Sequence, residues 1–111
     1  MAFELACAPT DVPEDEAIGV TIGGCDVAIA RNGDEFFAVQ DQCSHAAVAL
    51  SEGEVEECTI ECWLHGSRFD LRTGKPTGLP ATEPVSTFPV EVRDDGVYVD
   101  TTTTLNGVTP S

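Results

Sequence analysis

The chain has 111 residues, with 20 acidic and 5 basic side chains and a formal charge of -15. That length gives one modest domain, too small to combine a substrate pocket with a separate cofactor domain, and so argues against a self-sufficient enzyme. The charge excludes nucleic acid and anionic membranes as partners and leaves a basic protein partner or simple solubility.

Residues 1–5 lack the basic-then-apolar pattern of a leader, and no stretch approaches the ~20 apolar residues of a membrane span, so a soluble cytoplasmic protein is expected. The five cysteines are odd in number and irregularly spaced. They suit reduced thiols and a metal site better than a disulfide framework.

In chain order, Ile18, Val20 and Ile22 alternate on one face of a strand, and Gly23-Gly24 follows as a tight turn. A second strand over 25–30 places Val27 and Ile29 inward. Asn32-Gly33 then leads into a third over 35–39, where Phe37 and Val39 are expected to continue the same buried face. The alternation stops after Gln40. Short strands are expected near Glu54 and Val55, over 58–61 and over 68–71, ahead of a Thr73-Gly74 turn. Residues 76–84 are too rich in Pro and Gly for regular structure.

Alternation returns at Phe88, Val90 and Val92, turns at Asp95-Gly96 and closes with Val97 and Val99. The domain is expected to span residues 1–100, with 101–111 a mobile tail. No long amphipathic helix or internal repeat is visible, which makes the chain an all-β domain of short strands.

Two motifs carry the chemistry, Cys43-Ser-His45 and Cys62-Trp-Leu-His65, separated by the sixteen residues 46–61. Together they offer two thiolates and two imidazoles, a set that suits either a 2Fe-2S cluster with unequal irons or a zinc ion. A zinc finger usually keeps its cysteines in one half and its histidines in the other. Here each half mixes the two, which favours a cluster with thiolates on one iron and imidazoles on the other. Cys7, Cys25 and Cys58 read as ordinary buried or half-buried thiols, although Cys58 lies close enough to Cys62 to need a control.

Trp63 suits either packing against the loops or contact with a partner. Three of the five basic residues, Arg68, Arg72 and Lys75, follow the second motif, while Glu52, Glu54, Glu56, Glu57 and Glu61 lie between the motifs. Ordinary solvated charge explains these better than a docking rim.

The two motifs, with Gly66-Ser67-Arg68-Phe69-Asp70 and Arg72-Thr73-Gly74, resemble the Rieske-type 2Fe-2S ferredoxin family, specifically the soluble ferredoxin components of bacterial ring-hydroxylating dioxygenases. The resemblance covers roughly residues 3–100. Through residues 62–85 the chain is also similar to actinobacterial Rieske ferredoxins encoded near iron-sulfur assembly genes.

The resemblance implies an antiparallel β-sandwich with a small cluster-binding lobe formed by two loops. Cys43 and Cys62 would hold the inner iron, His45 and His65 the outer one, and residues 79–85 would form a third loop over the single 2Fe-2S cluster. With ferric irons the cluster and its ligands sum to no net charge, and the added electron settles on the histidine-bound iron. Singly bonded imidazoles could lose their outer protons at high pH, so the potential should fall there as pH rises.

Departures from the family pattern refine this. Respiratory-chain relatives bridge their loops with two further cysteines, and Val48 and Leu64 occupy those positions, so no such bridge can form. Ser67 keeps a hydroxyl that in those relatives donates toward a bridging sulfide, whereas Phe69 replaces a tyrosine. One hydrogen bond toward the thiolate side is therefore missing, and the potential should lie in the lower part of the Rieske range of ~-150 to +300 mV. Trp63 replaces a proline often found there.

The implied function is one-electron transfer from a flavin-containing ferredoxin reductase to a terminal oxygenase or other redox protein. No Gly-x-Gly-x-x-Gly fingerprint or second iron domain is present for chemistry of its own. The alternatives are an accessory or redox-sensing protein in iron-sulfur cluster assembly, and a zinc-bound interaction module.

Overall fold

The structure is a computed structural model that describes residues 3–43, 48–63, 66–78 and 81–108. Its described residues form ten strands: β1 Glu4–Cys7, β2 Ala17–Ile22, β3 Cys25–Asn32, β4 Glu35–Gln40, β5 Val55–Glu56, β6 Thr59–Glu61, β7 Arg68–Asp70, β8 Thr87–Phe88, β9 Val90–Arg93 and β10 Gly96–Val99. All pair antiparallel in three sheets, ordered β2-β3-β4-β8, β1-β10-β9 and β5-β6-β7. The all-β expectation holds. Among the described residues no helix is long and apolar enough to cross a membrane.

The meander β2-β3-β4 is the backbone of the fold. Gly23 and Gly24 both take positive φ, +56° and +82°, as a two-residue hairpin turn matched to strand twist requires. In the resulting register Ile18 faces Ile29 and Val20 faces Val27. These four residues, with Ile22, Ala38, Phe88, Val97 and Val99, build one core. The other face of the same strands builds a second, in which Ala28, Ala30 and Val39 meet Leu50, Val55, Ile60, Phe69 and Leu71.

Phe37 and Val39 were expected on the face of Val27 and Ile29, and the structure places them on the opposite one. Antiparallel partners share a face, and Val39 pairs with Ala28 and Phe37 with Ala30. The alternation misleads because Ala28 and Ala30 are small enough to resemble an outward face, yet both are fully buried.

The stretch expected as one strand beginning at Phe88 is two. Phe88 pairs with Ala38 in the central sheet, whereas Val90 onward belongs to the sheet of β1 and β10. Pro89 separates them, and its lack of an N–H suits a position where the ladder is interrupted. The hairpin turn lies at Asp94-Asp95, and Gly96 already pairs with Arg93. A Cβ at 96 would come within 2.3 Å of Leu5 Cδ1, the end of a mostly exposed side chain that can turn aside, and 3.1 Å from the Cys7 carbonyl oxygen. β1 itself carries little sequence signal, since Leu5 is mostly exposed.

The segment expected as a mobile tail folds back as far as it is described. The Leu105 N–H donates to the Thr87 carbonyl at 2.8 Å. The Asn106 side chain donates to the carbonyls of Thr73 and Val85, each at 2.8 Å.

The small sheet β5-β6-β7 forms a lobe on the second core. Its first hairpin turns through Glu57 and Cys58, both at positive φ, +51° and +60°, a conformation that costs non-glycine residues energy. Just before β5, Gly53 leaves no room for a side chain, because a Cβ would lie 1.7 Å from the Glu61 carbonyl oxygen. Gly53→Ala must therefore push β6 away, and should lower unfolding stability by about 2 kcal/mol or more in denaturant titration. A change below ~0.5 kcal/mol, the scale of an ordinary surface substitution, would contradict this packing.

Candidate metal centre

Cys43 leaves the end of β4, and Cys62 leaves the end of β6. They follow strands of separate sheets, yet both side chains belong to the second core and are 2% and 0% exposed. Backbone closure is alike in the two loops. The Cys43 N–H donates to the Val48 carbonyl at 3.0 Å, and the Cys62 N–H donates to the Ser67 carbonyl at 2.6 Å. Each cysteine is thus bonded to the residue five positions on, which pinches the loop at its base.

In the second loop the Gly66 N–H also returns to the Cys62 carbonyl at 2.9 Å. Gly66 adopts φ +77°, and a Cβ there would meet nothing within 4 Å. Backbone conformation, rather than space, calls for glycine.

His45 and His65, the other two expected ligands, lie outside the described residues, as does Leu64. Val48 is half-buried against the second core. No disulfide joins any of the five cysteines.

Three further attachments hold the loops, and none was visible as a motif. Both Asp41 carboxylate oxygens accept from Ser51, one from its N–H at 2.7 Å and the other from its hydroxyl at 2.8 Å, which ties together the two ends of the first loop. The buried Gln40 and Ser86 form a second attachment. Gln40 Oε1 accepts from the Ser86 N–H and hydroxyl at 3.0 and 2.8 Å, while Gln40 Nε2 donates to the Gln42 carbonyl, next to Cys43, at 2.9 Å.

The third is Ser67, also buried, whose Oγ accepts from the Ala81 N–H at 3.1 Å. A hydroxyl that accepts in this way keeps its own proton for another acceptor. Ala81 and Val85, at either end of the described part of residues 79–85, pack in the same core as Cys43 and Cys62.

Phe69 lies in this core, fully buried. Trp63, beside the fully buried Cys62, is 49% exposed. Packing against the loops therefore accounts for only part of its surface. Cys58 occupies the tight β5-β6 turn, where burial pushes its thiol above the ordinary range and nearby Arg72 partly offsets the rise. Burial, reinforced by Asp11, likewise raises the Cys7 thiol. Both are held toward the protonated form, which is the inert form for ligation.

Four arginines have local carboxylate partners. Arg68 lies between Glu56 and Glu61 at 3.7 and 3.5 Å, and Arg72 meets Glu35 at 2.9 Å. Arg31 and Arg93 pair with Asp34 and Glu91 at 3.7 and 2.7 Å. Arg68 and Arg72 thus serve nearby acids, in keeping with ordinary solvated charge rather than a basic docking rim.

Known proteins resemble this chain in sequence and in fold. The family pattern of the Rieske [2Fe-2S] domain matches residues 3–89. The 3-phenylpropionate/cinnamic acid dioxygenase ferredoxin subunit of Shigella flexneri serotype 5b is 44% identical over 96 residues, covering 86% of this chain and 90% of that protein. The ferredoxin of carbazole 1,9a-dioxygenase from Nocardioides aromaticivorans IC177 superposes with a TM-score of 0.84 at 32% identity, covering 89% of this chain and 97% of the other. A chain in the complex of reduced oxygenase and oxidized ferredoxin of carbazole 1,9a-dioxygenase gives 0.80 at 38% identity, covering 87% and 91%. The chain belongs to the Rieske [2Fe-2S] domain family, as an electron-carrying ferredoxin with a 2Fe-2S cluster rather than an enzyme that transforms a substrate.

Proposed function

We propose that Cys43 and Cys62 hold one iron of the cluster and His45 and His65 the other, and that the chain carries single electrons from a flavin-containing reductase to a terminal oxygenase in the cytoplasm. The observation that carries this reading is the convergence of Cys43 and Cys62, from two loops pinched in the same way, in one buried core. The donor chemistry fits a Rieske cluster. Two buried thiols supply a soft, dry half-site, and the Ser67 hydroxyl keeps a proton for a sulfur acceptor. Among the described residues no group of three or more His, Cys, Asp or Glu forms a competing metal site.

The bound cluster supplies one-electron redox chemistry. The chain's own residues set its surroundings: Cys43 and Cys62 exclude water on one side, and Trp63 offers half its indole to a docked protein. The relatives' names supply the partner class, an aromatic-ring dioxygenase system. A net charge of -15 suits a partner with a cationic docking surface. Residues 1–100 form the proposed domain, onto which 101–108 folds back.

Reconstitution with a ring-hydroxylating oxygenase and a flavin reductase of this class tests the role. Oxygenase turnover should require the chain, and its rate should fall steeply as salt screens the encounter. Turnover at full rate without the chain would refute the role.

Cysteine substitution tests the ligands. Cys43→Ser and Cys62→Ser should each lose most of the iron and acid-labile sulfide, whereas Cys7→Ser, Cys25→Ser and Cys58→Ser should keep both. Full iron content in either of the first two variants would remove that cysteine from the ligand set.

The missing hydroxyl at Phe69 predicts a third outcome. Phe69→Tyr should raise the reduction potential of the folded holoprotein, because a hydrogen bond toward thiolate favours the more negative reduced state. An unchanged or lowered potential in protein film voltammetry would show that the para position does not reach the thiolate side.

A further inference from the structure

Asn106 lies beyond the residues matched by the family pattern, which end at 89. Its side chain nevertheless makes four hydrogen bonds at the edge of the second core. Its Nδ2 donates to two carbonyls, those of Thr73 and Val85, each at 2.8 Å. Its Oδ1 accepts from the N–H groups of Thr87 at 3.3 Å and Val108 at 3.2 Å. One amide therefore joins the turn after β7, the end of the Pro-rich stretch, the start of β8 and its own segment.

The surroundings are shaped around this contact. The Val85 N–H donates to the Gly74 carbonyl at 2.8 Å. A Cβ at Gly74 would fall 2.1 Å from the Val85 carbonyl oxygen and 2.7 Å from Asn106 Nδ2. Gly74, at φ +76°, is thus the opening through which Asn106 reaches Val85. The Leu105 N–H bond to the Thr87 carbonyl aligns the segment from the other side.

We propose that Asn106 is a positioning residue for the cluster site: it holds the described segment 81–87 against the core that contains Cys43 and Cys62, and so limits water and small reagents at the cluster. The inference rests on the ligand assignment made above. Its route is short. Asn106 grips the Val85 carbonyl, the Val85 side chain is fully buried in the core of the two cysteines, and Ala81 at the other end is fixed by Ser67. Gln40 grips Ser86 from the opposite side. Segment 81–87 is therefore held between an amide from the strand that leads into the first loop and an amide from the C-terminal segment. Only the second is partly exposed, so it can be removed with the core left in place.

Asn106→Ala removes all four side-chain bonds, and Asn106→Asp keeps the acceptor while losing both donors. In each holoprotein, hydrogen exchange read by mass spectrometry should speed up roughly tenfold across residues 81–88 and stay unchanged across the β2-β3 hairpin. Bleaching of the visible absorption by a ferrous chelator should accelerate by a similar factor. The reduction potential should rise, since water reaching the cluster stabilises the added negative charge.

Wild-type exchange and bleaching rates in both variants would overturn the inference, as would faster exchange over 81–88 with an unmoved potential and bleaching rate. Uniformly faster exchange, including β2-β3, would also overturn it by showing general destabilisation. Failure of the ligand assignment is separately recognised. The wild-type protein would then lack a Rieske electron paramagnetic resonance signal, while the exchange comparison would still read the Asn106 contact.

Discussion

Two backbone hydrogen bonds, from Cys43 to the Val48 carbonyl and from Cys62 to the Ser67 carbonyl, set the geometry on which the rest of the site depends. Each pinches a loop directly behind a cysteine that follows a strand, and both thiols remain in the core. A buried, unpaired backbone N–H is costly, and both cysteine amides lie where water is largely absent. Closing the loops at these points therefore satisfies two donors and fixes two side chains together. The lower potential expected from Phe69 and the role of Ser67 both presuppose this rigid placement.

The central meander makes the arrangement stable. β3 is buried on both faces, with Val27 and Ile29 in one core and Ala28 and Ala30 in the other. One core joins the meander to β9 and β10 and has no part in the site. The second belongs to the lobe and contains Cys43 and Cys62. Dividing the apolar residues in this way lets the lobe expose Trp63 and Gly66 while its base remains packed. Gln40, Ser86, Asp41 and Ser51 then connect the meander to the loops through polar contacts of fixed length.

Much of this was legible in the sequence, for identifiable reasons. The hairpin through Gly23-Gly24 and the strands of the small sheet follow from period-two alternation and turn residues, and Cys43 and Cys62 stand out because each is paired with a nearby histidine. The faces of β3 and β4 were misread at Phe37 and Val39, since Ala28 and Ala30 give no apolar contrast with a solvent face. The break at Pro89 was hidden by alternation that continues in phase across it. Asn106 was passed over because a polar residue in a Thr-rich segment has no period to mark it, and its partners are backbone carbonyls far away in sequence. Gln40 and Asp41 are similar cases: their roles depend on Ser86 and Ser51, which only the fold brings near.

Charge completes the picture of a carrier. The four arginines are engaged by nearby carboxylates, and the net charge of -15 leaves the molecule strongly acidic as a whole. In the proposed shuttle, that charge would speed the encounter with a cationic partner. The most direct test of the central claim is pulsed electron paramagnetic resonance on the dithionite-reduced protein, grown with and without 15N-labelled histidine. Couplings from two histidine nitrogens to a reduced 2Fe-2S cluster are predicted. A cluster with no histidine nitrogen coupling, or a colourless protein containing zinc, would contradict the account.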